Sequence, residues 1–176
     1  MKGTEITEVK VDALFEKIAG LIEESRKKVS SAINIAEVYT KYNIGKYIIE
    51  HEQEGKGRAA YGKQVLKQLS EKLTNRYGKG WSVETLTATR KFYHTFSNSV
   101  NTVYEIQDTT PVTHKFVLSW SHYLVLMRVS DANARSFYEI ECAKQNWSVR
   151  WLQRQVNSSL YERLALSKDK SEVLRL

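Results

Sequence analysis

Cysteine is nearly missing from this chain. Cys142 stands alone, which excludes a disulfide framework and any zinc cluster built on several thiolates. Proline is as scarce, with Pro111 the single one, and all eight glycines lie before residue 81. Residues 81–176 therefore favour helices joined by short polar turns. Long apolar runs are lacking too, since no window approaches the roughly 18 apolar residues of a membrane span. The N-terminal MKGTEITEVK has no apolar stretch of the kind a secretory signal needs. These absences lead us to expect a soluble, cytoplasmic protein with no membrane partner.

What is present is a chain of 176 residues, 41% hydrophobic and 27% charged, enough for one domain with a core. Its formal net charge of +7 is unevenly placed. Residues 1–55 carry 8 basic and 10 acidic side chains, whereas residues 56–98 carry 9 basic ones against only Glu71 and Glu84. A quarter of the chain thus holds a surplus equal to the whole net charge. Such a concentration is the footprint of a polyanion partner, because each neutralised phosphate releases counterions. A solvated basic face on an ordinary protein is the plain alternative.

Apolar periodicity predicts a mainly α, multi-helix domain. Val11, Leu14, Phe15, Ile18 and Ile22 recur at helical spacing over a first helix near 11–28. A second run from Ile35 to Ile49 continues the signal to about Glu52, and Glu54-Gly55-Lys56-Gly57 ends it. Tyr61, Val65, Leu66, Leu69 and Leu73 mark a helix over 60–77, stopped by Gly78-Lys79-Gly80, and Ser82 is placed to cap the next, over 82–97. Three more are expected near 119–129, 132–145 (capped by Asp131) and 148–166 (capped by Ser148). Residues 98–117 read either as a small β-hairpin or as a long loop. Residues 1–10 are expected as a flexible leader, 11–166 as the domain, and 167–176 as a flexible tail.

The helix over 60–77, the turn Gly78-Lys79-Gly80-Trp81 and the helix over 82–97 together read as a helix-turn-helix. Turning 100° per residue, Val83, Leu86, Arg90 and Tyr93 share one arc of the second helix. Glu84, Thr87, Ala88, Lys91 and Thr95 share the opposite arc, which would face a DNA groove. In such a unit the start of the second helix reaches base edges while Lys, Arg, Ser and Thr around it grip phosphates. Ser82, Thr85, Thr87 and Lys91 suit that role, Arg76 and Lys79 suit backbone contacts, and Trp81 could touch a sugar or base. Arg90 could equally be a buried ion-pair member. Glu84 would repel phosphate, although a carboxylate can accept from cytosine N4.

Several strings then carry a resemblance. Ala60-Tyr61-Gly62-Lys63, Leu69-Ser70-Glu71-Lys72-Leu73, Arg90-Lys91-Phe92-Tyr93, Leu118-Ser119-Trp120-Ser121-His122-Tyr123, Trp147-Ser148-Val149-Arg150 and Leu160-Tyr161-Glu162-Arg163 occur in one order. Together they resemble the N-terminal domain of the YhcG-type family of bacterial proteins, from about residue 11 to 166, with the "LSWSHY" string the most specific. The resemblance implies a helical DNA-binding or targeting module that usually precedes a PD-(D/E)xK nuclease domain. The sequence ends at Leu176, where that domain would begin. The expectation is therefore a non-catalytic chain without cofactor or metal, partnered by duplex DNA. A nuclease domain or partner acting in trans is also expected, and self-association through residues 120–166.

Catalytic readings of the residues themselves are weak. The triplets Glu8-Val9-Lys10 and Glu54-Gly55-Lys56 have the acidic-x-Lys spacing of a metal nuclease but sit in the leader and a glycine loop rather than on a β core. Gly57–Gln64 nearly spells a Walker A loop, yet a helix precedes it and Gln64 stands where the magnesium-binding hydroxyl belongs. His51, His94, His114 and His122 form no metal-ligand spacing. Ser119 and His122 read as a helix cap and a polar-network residue rather than a hydrolytic pair. The rival function is a helical protein-interaction domain without DNA contact, favoured by Phe92 at the edge of the groove-facing arc.

Overall fold

The computed structural model describes residues 2–54, 59–97 and 116–167, and of these the side chains of 11–53, 61–97 and 116–167. Among the described residues there are seven helices and no strand. The mainly α expectation holds. The question of a hairpin or a loop falls on residues 98–115, outside the described residues, as does most of the 167–176 tail.

Helix α1 runs unbroken over Lys2–Glu54. The two expected runs are one helix of 53 residues, about 80 Å long at 1.5 Å per residue. No proline lies in this stretch, and isolated glycines cost a helix only about 1 kcal/mol each. Residues 2–10, expected as a flexible leader, form its first turns. From Val38 onward α1 is built into the core, with Val38, Tyr42 and Ile48 buried.

Helix α2 (Ala59–Tyr77) and helix α3 (Val83–Phe96) follow. Helix α3 crosses α1 closely at Gly45. A Cβ there would run into the Thr89 carbonyl oxygen, with the carbonyl carbon at 2.8 Å and Tyr93 Cβ at 2.9 Å. Only glycine allows the two backbones this approach. One core cluster joins Ile48, Leu66 and Leu86 across α1, α2 and α3, with Leu69, Leu73, Trp81 and Val83 packed on it.

Helices α4 (Trp120–Leu126), α5 (Ala132–Gln145), α6 (Val149–Asn157) and α7 (Leu160–Leu166) complete the fold. Asp131 and Ser148 cap α5 and α6 as expected, accepting from the amides of Ala134 and Trp151. The single helix expected over 148–166 is instead two. Ser159 takes a left-handed conformation at φ 51°, which ends one helix and starts the next. Tertiary partners hold this break. The Tyr138 hydroxyl receives the Tyr161 amide at 3.1 Å and donates to the Gln155 carbonyl at 3.3 Å, and Arg163 donates to the Ser158 carbonyl at 3.0 Å.

The larger core is aromatic and centres on Phe92, which is fully buried. Its ring lies 5.0–5.2 Å from those of Phe96, Phe116, Trp120 and Tyr123, and 6.0 Å from that of Tyr42. The tilted and edge-on ring geometries are those that aromatic quadrupoles prefer. Phe116 packs against Tyr39 and Tyr42 of α1 and Tyr123 of α4, so the α1–α3 pair and the C-terminal helices share one core. The Tyr123 hydroxyl donates to Glu139 at 2.9 Å. Burial, with Glu139 adding to it, pushes its pKa far up.

Candidate nucleic-acid interface

The turn between α2 and α3 is built on two glycines in left-handed backbone. Gly78 (φ 83°) closes α2, its amide reaching the Thr74 carbonyl at 2.9 Å, and Gly80 has φ 112°. A side chain at either would be strained. Lys79 sits exposed between them, and Arg76 is exposed on the last turn of α2 with its guanidinium 5.4 Å from the Tyr77 ring. Ser82 then caps α3, its hydroxyl oxygen accepting the Thr85 amide at 3.3 Å.

Burial on α3 divides its faces more sharply than the helical wheel does. Leu86, Thr89, Phe92 and Phe96 are buried, and Glu84, Thr87, Lys91 and His94 are exposed. Their 3, 4, 3 spacing sets them in one narrow line along the helix. Ala88 and Thr95, expected on the open arc, are half-buried. Phe92 points into the core rather than outward, which corrects the feature that favoured the protein-interaction reading. The reason is that α3, packed on α1 and α2, is also covered at Phe92 by Phe116 and by Trp120 and Tyr123 of α4.

Arg90 reaches back to α1. Its guanidinium donates to Glu52 at 2.8 Å, and both side chains are partly buried. This ion pair between helices settles the alternative left open by the sequence. By contrast, among the described residues Arg76, Lys79 and Lys91 have no carboxylate within ion-pair distance. Glu84 is fully exposed. A hydrogen bond from the Ser82 hydroxyl, followed by the backbone, holds its carboxyl below the usual carboxylate range, so a negative charge stands at the start of α3.

The other expected site residues divide as follows. Ser82 and Thr87 are exposed, although Ser82 is engaged as a cap and the Thr87 hydroxyl donates to the Val83 carbonyl at 2.7 Å. Thr85 is half-buried. Trp81 is half-buried as well and packs on the Ile48–Leu66–Leu86 cluster. Its ring is one wall of a cation sandwich, since Lys41 Nζ lies 5.1 Å from the Trp81 ring and 5.4 Å from the Trp120 ring. Lys41 is buried and lies 3.6 Å from Glu37. This lysine ties the glycine turn to α4, and sequence reasoning missed it because its two aromatic partners come from distant segments. His94 was missed too, although its i+3 spacing from Lys91 is a readable signal.

At the start of α4, the Ser119 hydroxyl lies 2.7 Å from His122 Nδ1, and His122 Nε2 lies 3.0 Å from the Trp147 carbonyl. A carbonyl can only accept, so Nε2 carries the proton and Nδ1 accepts from serine. Ser119 spends its hydroxyl on this imidazole and makes no capping bond to the α4 backbone. The pair belongs to a polar network linking α4 to the start of α6. Among the described residues no group of three or more His, Cys, Asp or Glu side chains could hold a metal ion, and no helix is long and apolar enough to cross a membrane.

The pattern of a family described as the DUF1016 N-terminal domain matches residues 17–163. The chain belongs to that family. A relative in Escherichia coli (strain K12), named "Putative nuclease YhcG", is 35% identical over 187 aligned positions, covering 92% of this chain and 48% of the relative. This DUF1016 N-terminal domain therefore spans about half the length of that relative. No solved structure matches. The matched residues 17–163 take in α2, α3 and the C-terminal helices, on which the strings that resemble YhcG-type proteins lie.

Proposed function

We propose that this domain is a DNA-targeting module of a nuclease system, acting in the cytoplasm and non-catalytic in itself. The unit of α2, glycine turn and α3 serves as a helix-turn-helix that docks on duplex DNA. Arg76 at the end of α2 and Lys79 in the turn grip phosphates beside the start of α3, and Lys91 does so from the exposed line itself. Thr87, Glu84 and His94 face the groove along that line, with Glu84 in the role of an acceptor from cytosine N4. Ser82 and Thr85 hold the start of α3, and Trp81 orients the turn from beneath rather than stacking on a base. The observation that carries the reading is that the exposed cations Arg76, Lys79 and Lys91, without carboxylate partners, coincide with the polar line of α3 in the most basic part of the chain. The nuclease chemistry named for the E. coli relative is assigned to the half of such proteins that this chain does not span.

The test is duplex binding across a salt series. Removing one cation that neutralises a phosphate should reduce the slope of log K against log[salt] by about 0.9, so the Lys79→Ala/Lys91→Ala double variant should bind with a slope shallower than the wild type's by about 1.8. A wild-type slope near zero, or a double variant with the parent's affinity and slope, would overturn the reading. The burial of Phe92 leaves the groove-facing line of α3 without an apolar anchor, which favours DNA over a protein partner at this surface.

A further inference from the structure

The first half of α1 carries an apolar stripe that the described residues leave uncovered. Val11, Phe15, Ile18, Ile22, Val29 and Ile33 recur along one side of the helix, with Leu14 and Leu21 at its edge. All eight are exposed, from 46% for Ile22 to 64% for Phe15 and Leu21. With Ser25 in line, the positions average about 3.67 residues apart, a spacing that keeps a stripe nearly straight along a helix. It extends over about 33 Å and offers on the order of 700 Å² per copy, close to what each partner gives to a standard protein interface.

The stripe does not continue the face that α1 buries in the core. At 100° per residue, Val38 lies about 160° around the helix from Ile22. The side of α1 that does face the body is polar at this level. There Lys27, Ser31 and Asn34 line a hollow of about 430 Å³ shared with Ser119, His122 and Asn146. The amphipathic pattern thus reverses sides between Ile33 and Val38. A helix that turns polar residues toward its own domain and apolar ones away is patterned for a partner outside the domain.

We infer that residues 11–33 of α1 form a dimerisation arm that pairs antiparallel with the same segment of a second copy, about a two-fold axis at Ile22. Two features select a second copy. The ends and the centre of the stripe are palindromic about that axis: Val11 meets Ile33 of the second copy, Phe15 meets Val29 and Ile22 meets itself, while Ile18 meets the polar region of Ser25. A self-complementary patch of this kind is what a two-fold interface demands. The charges are segregated to match. Residues 11–24 hold Asp12, Glu16, Glu23 and Glu24 against Lys17 alone, whereas residues 25–33 hold Arg26, Lys27 and Lys28 and no acid. Antiparallel pairing lays each acidic end beside a basic one, with Glu16 near Arg26 of the second copy, while parallel pairing would set acid on acid. The intrahelical pairs Arg26–Glu23 (3.0 Å) and Lys28–Glu24 (2.8 Å) are solvent-exposed and cost little to rearrange.

The test is the solution mass of the whole chain with matched variants. The wild type should sediment as a dimer of the 20.4 kDa chain. Ile18→Glu/Ile22→Glu should be monomeric, its dissociation constant raised by at least about 100-fold, with an unchanged circular dichroism spectrum. Glu16→Lys should weaken the dimer, and adding Arg26→Glu in the same chain should restore it. For direction, Ile22→Cys should form a disulfide with its own copy and Phe15→Cys should not, whereas a mixture of Phe15→Cys and Val29→Cys should cross-link. A wild type that stays monomeric at about 100 µM, as it would if another segment of the chain covered the stripe, would overturn the inference. So would a dimer that survives the two glutamates, or self-cross-linking at position 15 in preference to the 15–29 mixture.

Discussion

Two glycines of one helix should respond to the same substitution with opposite sign. Alanine is worth about 1 kcal/mol more than glycine in a helix interior, and at Gly20 nothing lies within 4 Å of the new Cβ. Gly20→Ala should therefore leave Tm unchanged or raise it by up to about 4 °C. At Gly45 the new Cβ would strike the Thr89 carbonyl, with carbons at 2.8 and 2.9 Å where contact normally begins at about 3.5 Å. Helices α1 and α3 would have to part by nearly an ångström across the interface that holds Val38, Tyr42 and Phe92. Overpacking of this kind costs about 1–3 kcal/mol and sometimes more, and a clash against backbone on a rigid helix belongs at the upper end. After the propensity gain, a net loss of about 2 kcal/mol remains, which for a chain of this size lowers Tm by roughly 4–8 °C. Thermal and urea melts followed at 222 nm read both variants. A Gly45→Ala protein melting with or above the wild type, or equal falls at the two positions, would refute the reasoning.

Phe92→Ala removes the ring at the centre of the aromatic core and should cost about 3–5 kcal/mol, seen as a large fall in the urea midpoint; a loss under 1 kcal/mol would contradict the packing described. Stability should also fall in alkali. Burial raises the Cys142 thiol from 9.0 to about 11 and the Tyr42 phenol from 10.0 to about 12, with Glu139 and Tyr93 respectively adding to the effect. The folded state thus favours the protonated forms, so this contribution is full below pH 9 and is lost as pH rises from about 9 to 12. Urea midpoints measured against pH should decline over that window, and Cys142 should react with thiol reagents at pH 8 only as the chain unfolds. A midpoint that rises, or a thiol titrated at once at pH 8, would count against this account.

The sequence by itself determined much of what is local. Apolar periodicity located the helical segments, though neither the join that makes α1 one helix nor the break at Ser159. Ser82, Asp131 and Ser148 announced their caps because a hydroxyl or carboxylate just before a helix bonds amides within its own first turn. Gly78 and Gly80 marked the turn beside Lys79, and the count of charges located the basic surplus at residues 56–98. Even the first part of the apolar stripe, from Val11 to Ile22, was legible as a helix face.

Tertiary structure alone decided which of those faces are covered. A helical wheel assigns one buried arc to α3, but Phe116 and α4 add a second, and that turned Phe92 inward and narrowed the exposed line to Glu84, Thr87, Lys91 and His94. The same wheel showed a stripe on α1 without showing that the core lies on the other side. Lys41 between Trp81 and Trp120, Arg90 on Glu52, and Gly45 against Thr89 join residues far apart along the chain. Periodicity and capping are properties of neighbours in sequence, whereas contact between distant segments is a property of pairs that only packing brings together.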